Sequence, residues 1–283
     1  MWRDSWCAAM SPGLRALMLA DGSTRATGLV RILTALLLWT RFGQEMAPFH
    51  YVAERFPVLA SLFWVSSTLM LVGYRARLST GLAGLTMFGL VFWAGVHEGH
   101  DPYRHHHVYM LAAVTMWLAL TPCGGSYSLD RWRAVRAAAS SGVPAPPERG
   151  PTWATWVVLG QLSATYFWSA WDKTTPAFLS GARLVQIFLT KYGTSDIPFA
   201  GFEALCQVAA WATVLGEYAL AVGVLVRWPL KLVVPAGLLL HALLYLLIPV
   251  STFSASCMVL YLLVVDPDDL HEVIDRLHGP PEK

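Results

Sequence analysis

ALCQVAAWATVLGEYALAVGVLVRWPLKLVVPAGLLLHALLYLLI (Ala204–Ile248) decides the fold. It is one long apolar run interrupted by Arg227 and Lys231. Each side of that break is long enough to cross the hydrocarbon core of a bilayer, which takes about 20 residues of helix. Glu217 and His241 stand inside the two runs. An ionisable group at that depth is expensive and faces a partner or a cavity. Arg31 belongs to the same class, although it could equally snorkel to the cytoplasmic face. Pairing of Glu217 with Arg31 or His241 as structural glue and a chemical role for Glu217 are both open on the sequence.

The pattern repeats outward from this stretch. Apolar segments fall at roughly 28–44, 57–74, 80–97, 108–122, 153–172, 204–226, 229–248 and 252–265. The fourth and the last are short for a span. Residues 177–191 are too polar to span, and Phe178, Leu179, Leu184, Ile187 and Phe188 suit an interfacial or re-entrant helix. The expected fold is all-α, a polytopic membrane helix bundle of about eight transmembrane helices plus one interfacial helix.

Composition agrees. The chain has 283 residues, 55% hydrophobic and 13% charged, against about 25% charged in a soluble domain. The 13 tryptophans and 10 tyrosines suit two interfacial belts. Four cysteines without a CxxC signal neither a disulfide framework nor a zinc knuckle. A net charge of +2 carries no nucleic-acid signature.

The domain reading is an amphipathic cytoplasmic segment over 1–26, a membrane domain over 27–270 and a cytoplasmic tail over 271–283. The N-terminal segment is no signal peptide, because Arg3, Asp4, Pro12 and Arg15 break any apolar core. An Ala-, Ser- and Pro-rich linker at Ala137–Pro151 parts four spans from the rest. Most of the 20 lysines and arginines fall on one side of these spans. The positive-inside rule therefore puts both termini in the cytoplasm of a cell-membrane protein. The histidine cluster near His105 and Lys173 then share the non-cytoplasmic face.

HEGHDPYRHHHVYM (His97–Met110) is rich in histidine. Consecutive helical residues diverge by about 100°, so His105, His106 and His107 cannot all face one ion. No metal is expected, and the cluster reads as a polar, pH-sensitive loop. His107 differs, because it opens the fourth span and dips into the bundle. Asp130 is expected to cap the basic helix that follows it.

QLSATYFWSAWDKTTPAFLSG (Gln161–Gly181) ends a span on Lys173. A lysine costs about 2.5–3.5 kcal/mol at helix-centre depth, and less near the interface. Two readings stand. Lys173 either snorkels to the headgroups or is a desolvated amine able to act as a base. Thr174-Thr175-Pro176 ends the helix near Lys173, which would let Asp172 pair with it. Tyr166, Phe167, Trp168 and Trp171 could wall a dry pocket around the amine and stack on a flat ring.

These stretches together resemble the HTTM family, the transmembrane module of vitamin K-dependent gamma-carboxylase and its bacterial relatives. RHHHVYMLAAVTMWLALTPCGGSYSLDRW carries a histidine at the start of a span and Ser-Leu-Asp at its cytoplasmic exit. A span ending in a lysine follows. Glu217, His241 and the closing FSASCMVLYLLVVDP also look like that family. The likeness covers about residues 25–270 and does not extend to the large soluble domain that binds protein substrate in the animal carboxylase. Where that enzyme has a lysine pair, this chain has Asp172-Lys173.

The resemblance implies a lysine base that deprotonates a reduced quinone, a vitamin K-like cofactor, with carboxylase or quinol-dependent oxygenase chemistry to follow. Lys173 matches the lysine, and His107 the histidine. Tyr166, Trp168, Trp171, Glu217, His241 and His106 would form the surrounding pocket. Expected partners are the lipid bilayer, a quinone or peptide substrate and another membrane protein, with no nucleic acid. The alternatives are a non-catalytic accessory or assembly subunit in the style of DoxX-like proteins and, third, a transporter.

Overall fold

A computed structural model describes residue 16 and residues 18–227, 229–247 and 251–278. Most of the expected amphipathic segment 1–26 (residues 1–15 and 17) and the last residues of the tail, 279–283, lie outside these. The elements in chain order are β1 (Asp21–Ser23), α1 (Arg25–Phe42), α2 (Tyr51–Arg55), α3 (Pro57–Val72) and α4 (Ala76–Leu90). A wider π-type turn, Val91–His97, prolongs α4. Then come α5 (His106–Leu118), α6 (Leu129–Ser140), β2 (Arg149–Pro151) and α7 (Trp153–Lys173). The chain continues with α8 (Pro176–Leu179), α9 (Ala182–Tyr192), α10 (Phe202–Val226) and α11 (Leu230–Leu247). It closes with α12 (Ser251–Leu260), a 3-10 turn at Tyr261–Leu263 and α13 (Pro267–His278).

The protein is nearly all helix, and each expected apolar segment falls on one. Among the described residues, three helices are long and apolar enough to cross a bilayer: Ala76–His97, Phe202–Val226 and Leu230–Leu247. Pro57–Val72 and Ser251–Leu263 are shorter apolar helices. With 13 residues, α5 reaches only about 20 Å, short of a hydrocarbon core of about 30 Å. Residues 177–191 form α8 and α9 rather than a span, and no side chain of α9 is fully buried. Lys191 on α9 donates to the carbonyl of Leu246 at 2.8 Å, closing the free end of α11.

The chain divides into two compact units. The first runs to Val158 and takes back the chain from Asp266; the second is Leu159–Val265. In the first unit, α3 packs on α4, α4 on α5 and α1 on α3. Arg31 is fully buried there. It neither snorkels nor pairs with Glu217. Its guanidinium donates to the carbonyls of Met70 (2.5 Å) and Leu71 (3.2 Å) in the last turn of α3, and to that of Tyr127 (2.6 Å). Gly73 ends α3 with φ 70°, and a side chain there would run into the Arg31 guanidinium and Ser128.

The Ser-Leu-Asp exit has a different local role from the expected one. Ser128 caps α6, its hydroxyl accepting from Arg131 N at 2.9 Å. Asp130 caps α4 instead. Its carboxylate accepts from Arg75 N at 2.9 Å and Ala76 N at 2.7 Å. One tripeptide therefore fixes two helix starts.

The end of the described chain returns to its start. β1 pairs antiparallel with β2. Asp268 of α13 accepts from Ser23 N at 3.1 Å and from Arg149 at 3.0 and 3.1 Å. Arg25 binds both Glu148 (2.8 Å) and Asp275 (2.5 Å). The Arg149 guanidinium holds the Asp268 carboxyl below the usual carboxylate range.

Candidate functional site

In the second unit a polar stripe runs along α7. Tyr166, Ser169 and Lys173 lie at helical spacing on one face. Lys173 is the last helical residue, as Pro176 shortly beyond it dictates. Its ammonium does not reach for solvent. It donates to both carboxylate oxygens of Glu217 at 2.9 Å, to the Ser169 carbonyl at 3.1 Å and to the Ser169 hydroxyl. Ser169 in turn donates to Glu217 at 3.0 Å. The Lys173 side chain is 28% exposed and that of Glu217 2%. The carboxylate partner of Lys173 is thus Glu217, 44 residues away, and not the adjacent Asp172. Nor does Glu217 pair with Arg31 or His241, as the structural reading of the sequence allowed.

A second buried group lies lower on the same stripe. Tyr166 Oη is 2.6 Å from His241 Nε2 and 2.9 Å from Tyr261 Oη. All three residues are buried. Two donor assignments satisfy these contacts, with the proton order running from Tyr261 towards His241 or the reverse. His241 Nδ1 has no partner among the described residues. Gly237 makes the arrangement possible, because a side chain there would occupy the place of the Tyr261 hydroxyl.

The expected aromatic wall is not built around the amine. Trp168 and Trp171 are 59% and 58% exposed, and Phe167 is also exposed. The helical period that turns Tyr166 and Lys173 inward turns Trp168 and Trp171 outward. Phe167 and Trp168 line a different feature. This is an open groove of about 520 Å³ between α7 and α10, bounded also by Gly160, Ser163, Ala221 and Leu225. Ser163 ties its base, donating to the Ala221 carbonyl at 2.6 Å. Both this tie and the Lys173–Glu217 pair lie on the α7–α10 seam.

His106 and His107 open α5 in the first unit, His106 exposed and His107 half-buried. His107 stacks on His105, ring centroids 5.3 Å apart. Among the described residues no three His, Cys, Asp or Glu side chains gather closely enough to hold a metal ion.

Ser169 and Tyr261 were not among the residues expected at the site. Ser169 carried a signal, standing four residues before Lys173 on the same face. Tyr261 carried none, because its role comes from tertiary packing against Gly237.

The family model for the HTTM domain matches residues 29–268. The chain belongs to the HTTM family. HTTM is a membrane module related to vitamin K-dependent carboxylase. No curated protein and no solved structure matches the chain.

Proposed function

We propose that this HTTM protein is a membrane enzyme in which Lys173 acts as a general base on a lipid-soluble substrate, with a reduced quinone the class that the family relation suggests. The Lys173–Glu217 pair carries this reading. The asymmetry of lysine and arginine favours a place for it at the non-cytoplasmic edge of the membrane. The groove on the α7–α10 seam suits a flat apolar molecule arriving through the bilayer, with Phe167 and Trp168 available for stacking. A reduced quinone, when bound, supplies an acidic phenolic proton.

The remaining steps belong to the chain. At rest the three N–H groups of Lys173 are shared among four oxygen atoms of Glu217 and Ser169. The ammonium has no lone pair and cannot accept a proton. Passing one proton from Nζ to a Glu217 oxygen leaves a neutral amine beside a neutral acid. Two neutral groups need less solvation than two ions, which favours this exchange out of water. The freed lone pair takes the substrate proton while Ser169 keeps the amine in place.

Quinol-dependent oxygen uptake by the purified protein tests the proposal. Lys173→Ala should lower it by about a hundredfold to ten-thousandfold, the usual contribution of a general base. Unchanged uptake would remove Lys173 from the chemistry. The saturation of the ammonium favours a second reading, in which the pair only fastens α7 to α10. The double variant Lys173→Met/Glu217→Leu separates the two. Folded and active supports the fastening role; folded and inactive supports the base.

A further inference from the structure

In the first unit, beside the start of α4, lies a cavity of about 570 Å³ that the proposed chemistry does not use. Arg75, Arg77 and Arg131 line it, with Asp130 the one carboxylate among the lining residues. Both Asp130 oxygens are already engaged by the N–H groups of Arg75 and Ala76. Arg77 donates to the carbonyls of Thr121 (2.9 Å) and Leu120 (2.6 Å). Arg131 reaches the carbonyl of Pro146 and stands 3.9 Å from Glu148, whose other oxygen is taken by Arg25. Carbonyl partners orient a guanidinium without cancelling its charge. The guanidinium of Arg75 has no acceptor among the described residues.

The cavity is therefore cationic and has fixed walls. Arg75 sits at φ 43°, a left-handed conformation that is costly for a non-glycine residue. Asp130 holds it there, and the side chain lines the cavity. Pro122, Pro146 and Pro147 stiffen the rim. Arginine forks match phosphate oxygens two at a time, which lysine cannot do. Arg133 and Arg136, also in this region of the chain, are instead laid over Tyr74 and Trp132, each 4.7 Å from the ring centre.

We propose that this cavity binds a phosphate-bearing anion, with Arg75 as the contact still open to it. The group could come from an anionic phospholipid headgroup or from a soluble phosphate ester, and the experiment distinguishes them. The purified full-length protein is placed in phosphatidylcholine vesicles with and without phosphatidylglycerol. In parallel it is titrated in detergent with inorganic phosphate and with glycerol 3-phosphate. Thermal unfolding and retained lipid by native mass spectrometry are the readouts.

Phosphatidylglycerol should raise the unfolding midpoint and remain bound, and Arg75→Gln should weaken this about tenfold, as loss of one charged hydrogen bond requires. Arg136→Gln, outside the cavity, should not. High salt should weaken binding. Retention of the lipid with no response to the soluble anions identifies the headgroup. Saturation by glycerol 3-phosphate, competing with the lipid, supports the phosphate site and identifies the soluble source. Equal binding by wild type and Arg75→Gln, for every probe, overturns the proposal. Among the described residues nothing accepts from the Arg75 guanidinium, so the variant should fold.

Discussion

Arg31 and Lys173 are both cations within apolar helix surroundings, one in each compact unit, and the chain treats them in opposite ways. Among the described residues, Arg31 is bound only by backbone carbonyls at the end of α3 and by that of Tyr127. Its charge is permanent, since a guanidinium does not lose its proton in proteins. Lys173 is bound by a buried carboxylate and a hydroxyl. In the function proposed above, its proton moves to Glu217. A cation satisfied by carbonyls is a fixed fastening, whereas in the proposed function the lysine and its carboxylate hold the proton that moves.

Exchanging the two chemistries puts the strongest strain on this contrast. Lys173→Arg keeps an ion pair with Glu217 but removes the proton that can leave. Oxygen uptake should fall at least about a hundredfold, with the unfolding midpoint near that of wild type. Wild-type uptake would break the comparison on the lysine side. Arg31→Lys is the complement. It keeps the charge but loses the fork that reaches three carbonyls, leaving buried acceptors unpaired at about 1–3 kcal/mol each. The unfolding midpoint in detergent should drop, while uptake per folded molecule stays the same.

Smaller tests sharpen the picture within each unit. Tyr166→Phe removes the hydroxyl shared by His241 and Tyr261 and should cost about 1–3 kcal/mol, measured by denaturant unfolding. The smallest effect concerns acid. Asp268 is held below its ordinary value by Arg149, so its contribution is present above the unfolded carboxyl value of about 3.9. That contribution is lost as pH falls through the lower folded value. Asp268→Asn should flatten the acid limb of a stability-against-pH curve and change little at neutral pH, because the pair is solvent-exposed.

Much of this was legible in the chain. Apolar runs of the right length located the helices, and Pro176 located the end of α7. Lys173 stood out because lysine is costly at a membrane edge. What escaped is what long-range contact decides. Nothing local joins Lys173 to Glu217, or Asp130 to the start of α4, since each pair is separated by more than forty residues. Asp130 looked like the cap of its own helix because the neighbouring Ser128 takes that place. The outward turn of Trp168 and Trp171 was readable from the period of α7, once Tyr166 and Lys173 were assigned to its inner face. The two-tyrosine relay to His241 was not, because it depends on Gly237 leaving room for an oxygen atom.

The grip of α13 on β1 and β2 has a consequence for biogenesis. The first unit is interrupted by the whole of the second and is finished only by residues made after it. During synthesis its opening helices must wait, with Arg25 lacking Asp275 and Ser23 lacking Asp268, until α13 leaves the ribosome. A stop codon just before Asp266 would therefore damage the part of the protein translated first.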